Sequence, residues 1–488
     1  MRLWIGMHLP LLPLEVFRLR WSEALDLTPN VVVEHGQVIA FCECARQAGI
    51  RTGMRSGGVT ALAPDAKLHQ RDGERERSAL DGVALSLLQY TPEVAMVDAA
   101  SLVLDVSASL AAFGGRLALC RRVRGSVMQM GYSARLGMAP TAQAALLFAH
   151  AAQIRLRRSV RQPGMVRRLD ALPTMLLPAT KPHADWLDGI GCTTLGQLRS
   201  LPRAGLQRRC GAALIEQLDK AYGEAPELYD WVEAPQQFDT RLELPERVEQ
   251  AEAVLFAARR LVLQMVGWLN ARQLAVSCFV LLLEHERGRQ AVAPSALEIT
   301  LAEAAWREDH LVRLLKERLG RLELTGPVIA LRLVASRLQA MAPPTESLFP
   351  EPGGSAADYH RLIELLTARL GKENVLMPAP VADYRPEIGN HWLPAGPSAA
   401  KPLAPPDVER PFWLLEKPLP LLLRDHRPFY GSPLKLLTSP ERIESGWWDA
   451  NCAVRDYFMA QGEDQACYWI YRERMGEEWR WFLHGLFA

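Results

Sequence analysis

Two hydrophobic periods alternate along the first 165 residues, and this alternation restricts the fold more than any other feature. Short apolar runs predict strands at Leu3–Leu9, Val31–Glu34 and Val38–Phe41. Between residues 75 and 88, the apolar positions 79, 80, 83, 84, 87 and 88 follow the 3.6-residue period of a helix. Because strand and helix patterns interleave, we predict an α/β domain over residues 1–165.

The pattern of apolar residues changes several times after this domain. In addition, 488 residues exceed what one hydrophobic core usually supports. We therefore predict a multidomain α+β chain. The predicted parts are a small helical domain at 166–235, an α+β domain at 236–375, a linker rich in Pro, Ala and Gly at 376–411, and an aromatic-rich module at 412–488.

Composition adds few restrictions. Lys and Arg (56) balance Asp and Glu (55), so the net charge of +1 indicates no particular partner. Among eight cysteines only Cys42 and Cys44 are close, and one C-x-C is a weak zinc signal. The thiols fit a reducing compartment, and no run reaches the ~20 apolar residues of a membrane span. We expect a cytoplasmic protein without a cofactor.

Three blocks in one order carry a family resemblance. They read A-R-Q-A-G-I-R-T-G-M at residues 45–54, Y-T-P-E-V-A-M-V-D at 90–98 and R-L-G-M-A-P at 135–140. In this order and spacing the chain resembles the Y-family, or translesion, DNA polymerases over residues 1–380. The resemblance implies palm and fingers in the first domain, a thumb with a helix-hairpin-helix in the second, and a little finger in the third.

The family's metal site does not carry over onto this sequence. Nucleotidyl transfer uses two Mg²⁺ ions held by carboxylates. The family's two first-strand aspartates fall on His8 and Pro10, and its second acidic pair falls on Asp98 and Ala99. One carboxylate cannot hold two Mg²⁺ ions, so we expect no catalytic residue and no metal at these positions. A weak Mg²⁺ site at Asp98 is the alternative, and His8 is expected to be satisfied by backbone groups.

The triphosphate contacts are reduced as well. In the family, a Y-x-A-R block places an aromatic hydroxyl and an arginine on the incoming phosphates. Here Glu43 stands near the tyrosine position, and Arg46 remains as a vestige of the phosphate-binding pair. A carboxylate beside a triphosphate is repulsive.

The resemblance is to a catalytically defective branch of the family. The residues typical of its opening are Trp4, His8, Pro10, Leu12, Pro13, Leu14 and Glu15. The chain end, with G-W-W-D at 446–449 and F-L-H-G-L-F-A at 482–488, resembles the tail of the same branch. The implied function is a scaffold in SOS-type, damage-induced mutagenesis. The implied partners are DNA, the sliding clamp, an error-prone C-family polymerase and a RecA-like companion protein that meets the C-terminal module.

Two other functions stay open at this point. One is an active translesion DNA polymerase with a rearranged metal site, and the other is a protein-interaction hub without a DNA function. Loss of acids at the metal positions disfavours the first, and the nucleic-acid motifs described next disfavour the second.

Several segments predict contacts with DNA or the clamp. Gly189, Ile190, Gly191, Thr194 and Arg199 lie in a helix-hairpin-helix pattern, whose backbone N–H groups can bind a phosphate. Six arginines between 155 and 168 predict a solvated connection, and contact with DNA phosphates is the alternative. Arg259, Arg260, Arg272, Arg332 and Arg337 are candidates to flank a duplex. Leu348 and Phe349 resemble a clamp-binding peptide without its leading glutamine.

Overall fold

The computed structural model describes residues 2–17, 28–152, 157–286, 293–322, 324–341, 356–395, 409–448, 452–476 and 478–487. Contacts between Cα atoms divide the chain into two compact units, residues 1–354 and 355–488. The elements of the first half of unit 1 are β1 (Trp4–His8), α1 (Leu12–Glu15), β2 (Asn30–Glu34), β3 (Gln37–Phe41), α2 (Glu43–Gln47), α3 (Ser56–Leu62), β4 (Lys67–Gln70), α4 (Gly73–Leu87), β5 (Val94–Asp98), β6 (Ser101–Asp105), α5 (Arg116–Gln129), β7 (Arg135–Ala139) and α6 (Ala142–His150).

The first sheet, the palm sheet, is antiparallel with the order β5-β6-β1-β7. Alternate side chains of β1 point to opposite faces, so Ile5 and Met7 pack with α4 and α5, whereas Trp4 packs with α6. Glycines allow α6 to lie close to the sheet, since a Cβ on Gly6 would come within 2.4 Å of the Ala145 backbone and one on Gly137 within 2.0 Å. The central strand is therefore covered on both faces.

A second, three-stranded sheet with the order β3-β2-β4 carries α2 and α3. A two-residue turn joins β2 to β3: His35 and Gly36 have φ values of 50° and 77°, as a hairpin of type I′ requires. The sequence patterns had not indicated α3 or β4. β4 pairs parallel to β2, and a parallel partner distant in sequence gives no local turn signal.

The helical region that follows has five α-helices and two short 3₁₀ segments. The helices are α7 (Gln162–Asp170), α8 (Ala184–Gly189), α9 (Leu195–Ser200), α10 (Arg203–Cys210) and α11 (Ala212–Tyr222). The predicted connection at 155–168 is therefore wrong in part, because α7 begins at Gln162 and buries Met165 and Leu169. An amphipathic helix tolerates the arginines on its exposed side.

The last part of unit 1 is a four-stranded sheet with two helices. Its elements are β8 (Asp239–Val248), α12 (Ala251–Arg272), β9 (Leu274–His285), β10 (Ser295–Ala305), α13 (Glu308–Leu319) and β11 (Val328–Ala340). The sheet has the order β10-β9-β11-β8. α12 crosses α4 closely, since a Cβ on Gly267 would lie 2.0 Å from the carbonyl oxygen of Leu85. Leu263 of α12 also joins the core under the palm sheet, so this contact joins the predicted little finger to the palm.

Unit 2 begins with a helix and continues in strands. Its elements are α14 (Ala356–Leu370), β12 (Leu376–Pro380), β13 (Asn390–Pro394), β14 (Trp413–Arg424), β15 (Arg427–Tyr430), β16 (Ser432–Pro433), β17 (Lys435–Leu436), β18 (Glu441–Ser445), β19 (Ala453–Gln461), β20 (Cys467–Met475) and β21 (Glu478–Leu486). Strands β14 to β21 form the main sheet, with the path β16-β15-β14-β21-β20-β19-β17 and β18 beside β19.

The predicted linker at 376–411 is wrong for its first half. β12 and β13 pair there, and prolines are tolerated because both strands of a two-stranded sheet are edge strands. Beyond β12, the side chain of Arg385 is only 3% exposed and lies 2.8 Å from Asp383, which also accepts a hydrogen bond from Ser445. This segment is packed structure of unit 2 rather than a spacer.

Candidate functional site

One end of the palm sheet brings together the positions at which the resemblance expects metal ligands. β1 lies between β6 and β7, so His8 stands opposite Ser101 on one side and Arg135 on the other. β5 ends at Asp98, and the C-terminus of α6 adds His150 from above the sheet. The sequence patterns did not indicate Ser101 or His150, because both arrive through long-range strand pairing and helix packing.

Ser101 connects the two histidines. Its Oγ lies 3.2 Å from His8 Nδ1 and 3.2 Å from His150 Nε2, and the side chain is fully buried. The imidazole rings of His8 and His150 pack with their centroids 4.0 Å apart. A hydroxyl has one proton, so it donates to one imidazole and accepts from the other. His8 is therefore held by a side-chain network as well as by a hydrogen bond with the Ala100 backbone, the kind of contact that the sequence led us to expect.

Asp98 closes the turn between β5 and β6. Its Oδ1 accepts a hydrogen bond of 2.9 Å from the Ala100 N–H, and its Oδ2 lies 4.0 Å from His150 Nε2. Half of the Asp98 side chain is exposed, and the neighbouring Ala99 is exposed as well. Pro10 follows the strand and offers no ligand atom. The one carboxylate of the four predicted positions is thus used locally to cap a turn.

The histidine pair is electrically neutral at physiological pH. The pKa of His8 is lowered from 6.5 to about 4, chiefly by burial and also by His150 and Arg135, while Asp98 opposes the change. Burial also lowers the pKa of His150. Two neutral imidazoles next to an arginine do not supply the hard, anionic oxygen ligands that Mg²⁺ prefers.

Other acids of the palm sheet lie at its opposite end. Asp105 pairs across from Trp4, four residues along the strands from His8, and its Oδ1 accepts from the Ser107 N–H at 2.9 Å. Within the described ranges, no three His, Cys, Asp or Glu side chains converge as metal ligands would. At this end of the palm sheet, Asp98 is the only carboxylate among the described residues.

The vestigial phosphate contact is occupied by an ion pair. Arg46 lies on α2, and its Nη2 is 2.6 Å from Glu43 Oε1. Both side chains are largely exposed, so this pair contributes little to stability. It does neutralise the one arginine that the resemblance placed on the triphosphate.

The predicted helix-hairpin-helix is formed by α8 and α9. Gly189 ends α8, Ile190 is 47% exposed at the tip, and Gly191 has a φ of 70°, which favours glycine. Thr194 caps α9, and the Gln197 side chain completes a capping box. Arg199 does not point away from the protein: it is paired with Glu224 at 2.5 Å and stacks 4.2 Å above the Tyr222 ring.

The hairpin N–H groups already have acceptors inside the protein. Those of residues 190 to 192 bond to carbonyls of α8, those of Thr193 and Thr194 bond to Gln197 Oε1 at 2.9 and 3.1 Å, and that of Leu195 bonds to the Leu172 carbonyl. A phosphate would therefore replace Gln197 as acceptor rather than meet empty donors.

The other residues that were predicted to contact DNA or the clamp differ in exposure and in their partners. Arg260 is 3% exposed and stacks on Tyr132, so the prediction that it flanks a duplex is wrong; its face of α12 packs on the palm. Arg259, Arg332 and Arg337 form ion pairs with Glu308, Asp239 and Glu298, while Arg272 is exposed at the end of α12. Leu348 and Phe349 lie outside the described residues.

Comparison with known proteins identifies the class first. Residues 16–150 match the model of the impB/mucB/samB family. This segment runs from the end of α1 to the end of α6 and contains Arg46 and the residues around His8 (Asp98, Ser101 and His150), so the first domain is similar to that family. Among solved structures, an insertion ternary complex of the Dbh DNA polymerase covers 68% of this chain and 97% of its own, at 16% identity and a TM-score of 0.39.

A second solved structure, DinB from Sulfolobus solfataricus, covers 70% of this chain and 100% of its own, at 16% identity and a TM-score of 0.38. At these TM-scores the likeness adds nothing to the family match. No helix among the described residues is both long enough and apolar enough to cross a membrane.

The more particular similarity extends along nearly the whole chain. Protein ImuB of Caulobacter vibrioides, from strains NA1000 / CB15N and ATCC 19089 / CIP 103742 / CB 15, is 25% identical over 468 residues, which are 90% of this chain and 100% of the relative. The predicted resemblance to a divergent, ImuB-like member of the Y family is confirmed. Together the matches support a polymerase-like function in the response to DNA damage.

Proposed function

We propose that this protein is a non-catalytic, Y-family polymerase-like scaffold in damage-induced mutagenesis. The single observation that carries the proposal is the remodelled end of the palm sheet, where Asp98 is accompanied by the neutral pair His8 and His150. Two-metal catalysis needs several carboxylates around two cations roughly 3.5–4 Å apart. Asp98 alone, half exposed and engaged with the Ala100 N–H, does not provide them.

Electrostatics at this end of the sheet also oppose a metal. Arg135 lies directly across from His8 in the strand register, and its charge lowers the pKa of both His8 and His150. A charge that disfavours protonation of an imidazole disfavours a divalent cation at the same place.

DNA binding is supported by the polymerase-like body and by the helix-hairpin-helix. The hairpin presents Ile190 and the backbone N–H groups of Thr193 and Thr194, which Gln197 satisfies, and such groups position DNA without reading its sequence. Binding to the sliding clamp through Leu348 and Phe349, recruitment of an error-prone C-family polymerase, and a RecA-like companion rest on the sequence resemblance alone.

Primer extension tests the absence of catalysis. Purified protein, primed DNA, dNTPs and either Mg²⁺ or Mn²⁺ should give no extension, while the same protein binds the primed DNA in a salt-dependent way. Asp98→Asn removes the remaining carboxylate and keeps its size. Extension by the wild type that disappears in Asp98→Asn would show an active polymerase with a rearranged metal site and would overturn the proposal.

Extension that is equal in both proteins does not depend on Asp98, and it contradicts the proposal if it persists in protein freed of contaminating polymerase. DNA binding by neither protein, measured by fluorescence anisotropy at low salt, would instead favour an interaction hub.

A further inference from the structure

A basic cavity lies at the β7 edge of the palm sheet. It has a volume of about 270 Å³ and is lined by Arg121 and Arg124 of α5, by Leu136 and Gly137 of β7, and by Arg157 and Arg158. Residues 157–159 extend the sheet, because the Met138 N–H donates to the Arg157 carbonyl at 2.9 Å and the Ser159 N–H donates to the Met138 carbonyl at 2.8 Å.

The four arginines of this cavity differ from many other arginines of the chain, which face a carboxylate. Arg71, Arg203, Arg241 and Arg332, for example, all face Asp or Glu at 3.0 Å or less. In the part of the chain that the structure describes, no ion pair is made by Arg121, Arg124, Arg157 or Arg158. Their charges therefore remain uncompensated around one cavity.

Arg157 is fixed in place without being neutralised. Its Nε donates to the Ala151 carbonyl at 3.1 Å and its Nη2 to the Ala152 carbonyl at 3.1 Å. Burial and the positive charges of Arg135 and Arg124 lower the pKa of its guanidinium. Like charges held this close repel one another, and an anion that entered the cavity would relieve the repulsion.

The cavity fits a phosphate group better than a base or a cofactor. It is smaller than the roughly 300–1,000 Å³ of typical small-molecule sites, and its remaining lining of Cys120, Leu136 and Gly137 offers no aromatic ring for stacking. Guanidinium groups are planar forks that bind phosphate oxygens in pairs. Such contacts would hold a nucleic-acid backbone without reading its sequence.

We propose that this arginine cavity binds the phosphates of a nucleic-acid strand and forms a second contact surface in addition to the helix-hairpin-helix. The inference rests in part on the proposed DNA-binding function. Nothing in the palm's remodelled metal end takes part in it, since His8 and Asp98 are not among the lining residues.

The test compares two double variants of full-length protein with equal loss of charge on the same helix. Arg121→Gln/Arg124→Gln removes two lining groups, and Arg116→Gln/Arg122→Gln removes two exposed arginines of α5 that do not line the cavity. Arg157 is left intact because it also holds two carbonyls. Affinity for labelled primed DNA is measured by fluorescence anisotropy over a range of salt, and the melting temperature is measured with and without pyrophosphate.

We expect the lining variant to bind DNA roughly tenfold more weakly, with a log–log salt slope smaller by about 1–2. The α5 control should stay near the wild type. Pyrophosphate should raise the melting temperature of the wild type and the control but not of the lining variant. Equal DNA binding by both double variants would overturn the inference; if pyrophosphate still stabilised only the proteins with the intact cavity, the ligand would be a free anion instead.

The outcome also separates this inference from the proposed function. A wild type that binds no DNA contradicts the proposed function, whereas a wild type that binds DNA equally well with and without Arg121 and Arg124 contradicts the cavity alone.

Discussion

Acidification should selectively destabilise the palm sheet through His8. The pKa of its buried imidazole is lowered from 6.5 to about 4 in the folded protein. Between these values the unfolded chain binds a proton that the folded chain does not, so stability is complete above pH 6.5 and is lost as the pH falls toward 4. The difference corresponds to about 3 kcal/mol, because one pH unit is worth about 1.4 kcal/mol.

His8→Asn removes the titrating group and keeps a side chain that can bond to Ser101. Because the chain has several domains, a local measurement is needed. Hydrogen exchange of β1 and β6 peptides, corrected for the intrinsic rate at each pH, reports the opening free energy of the palm sheet. Between pH 7 and pH 4 the wild type should lose up to about 3 kcal/mol more protection than the variant.

The matched control is His35→Asn, at an exposed turn residue whose positive φ asparagine tolerates. It should leave the pH dependence of β1 and β6 unchanged. An equal loss of protection in the wild type and in His8→Asn would refute the reasoning, since it would mean that burial of His8 does not hold its imidazole neutral.

Two further predictions concern packing and capping. Gly267→Ala should separate α12 from α4 and cost roughly 1–3 kcal/mol, seen as lost exchange protection in both helices, because its Cβ would meet the Leu85 carbonyl oxygen at 2.0 Å. Gly205→Ala, in a helix with open space around it, should be neutral or stabilising, and equal effects would contradict the steric reasoning. Thr194→Ala should cost α9 about 1 kcal/mol by removing its N-cap, whereas Thr194→Ser should restore the protection of α9.

Turns and single helices were predictable because a few neighbouring residues determine them. The His35-Gly36 turn follows from residues that tolerate positive φ, and helices such as Glu308–Leu319 follow from their apolar period. Strand order was not predictable, since β1 lies between β6 and β7 through contacts that span about a hundred residues. The same long-range pairing explains why His150 and Ser101 were missed at the site.

Burial of charged residues was the least predictable property. Arginine is usually a surface residue, yet Arg260 of α12 is buried against Tyr132. Proline-rich residues 376–380 have the composition of a linker, yet they pair with β13. In both cases a tertiary contact overrides a local preference, and the sequence contains no periodic signal for that contact.

Under the proposed function, the palm sheet keeps its fold without metal ligands because the residues that pack the sheet differ from those at the ligand positions. Gly6 and Gly137 let α6 approach the strands, and Ile5 and Met7 fill the opposite face; none of them is a ligand position. Carboxylates clustered without a cation repel one another, which destabilises a sheet that no longer binds metal. At position 8 a neutral histidine stands instead, and its contact with the buried Ser101 hydroxyl, which also bonds to His150, avoids that repulsion and adds hydrogen bonds. Under the proposed function, the remodelled site is therefore a stabilising substitution rather than passive decay, and restoring acids at positions 8 and 99 without metal should weaken the sheet.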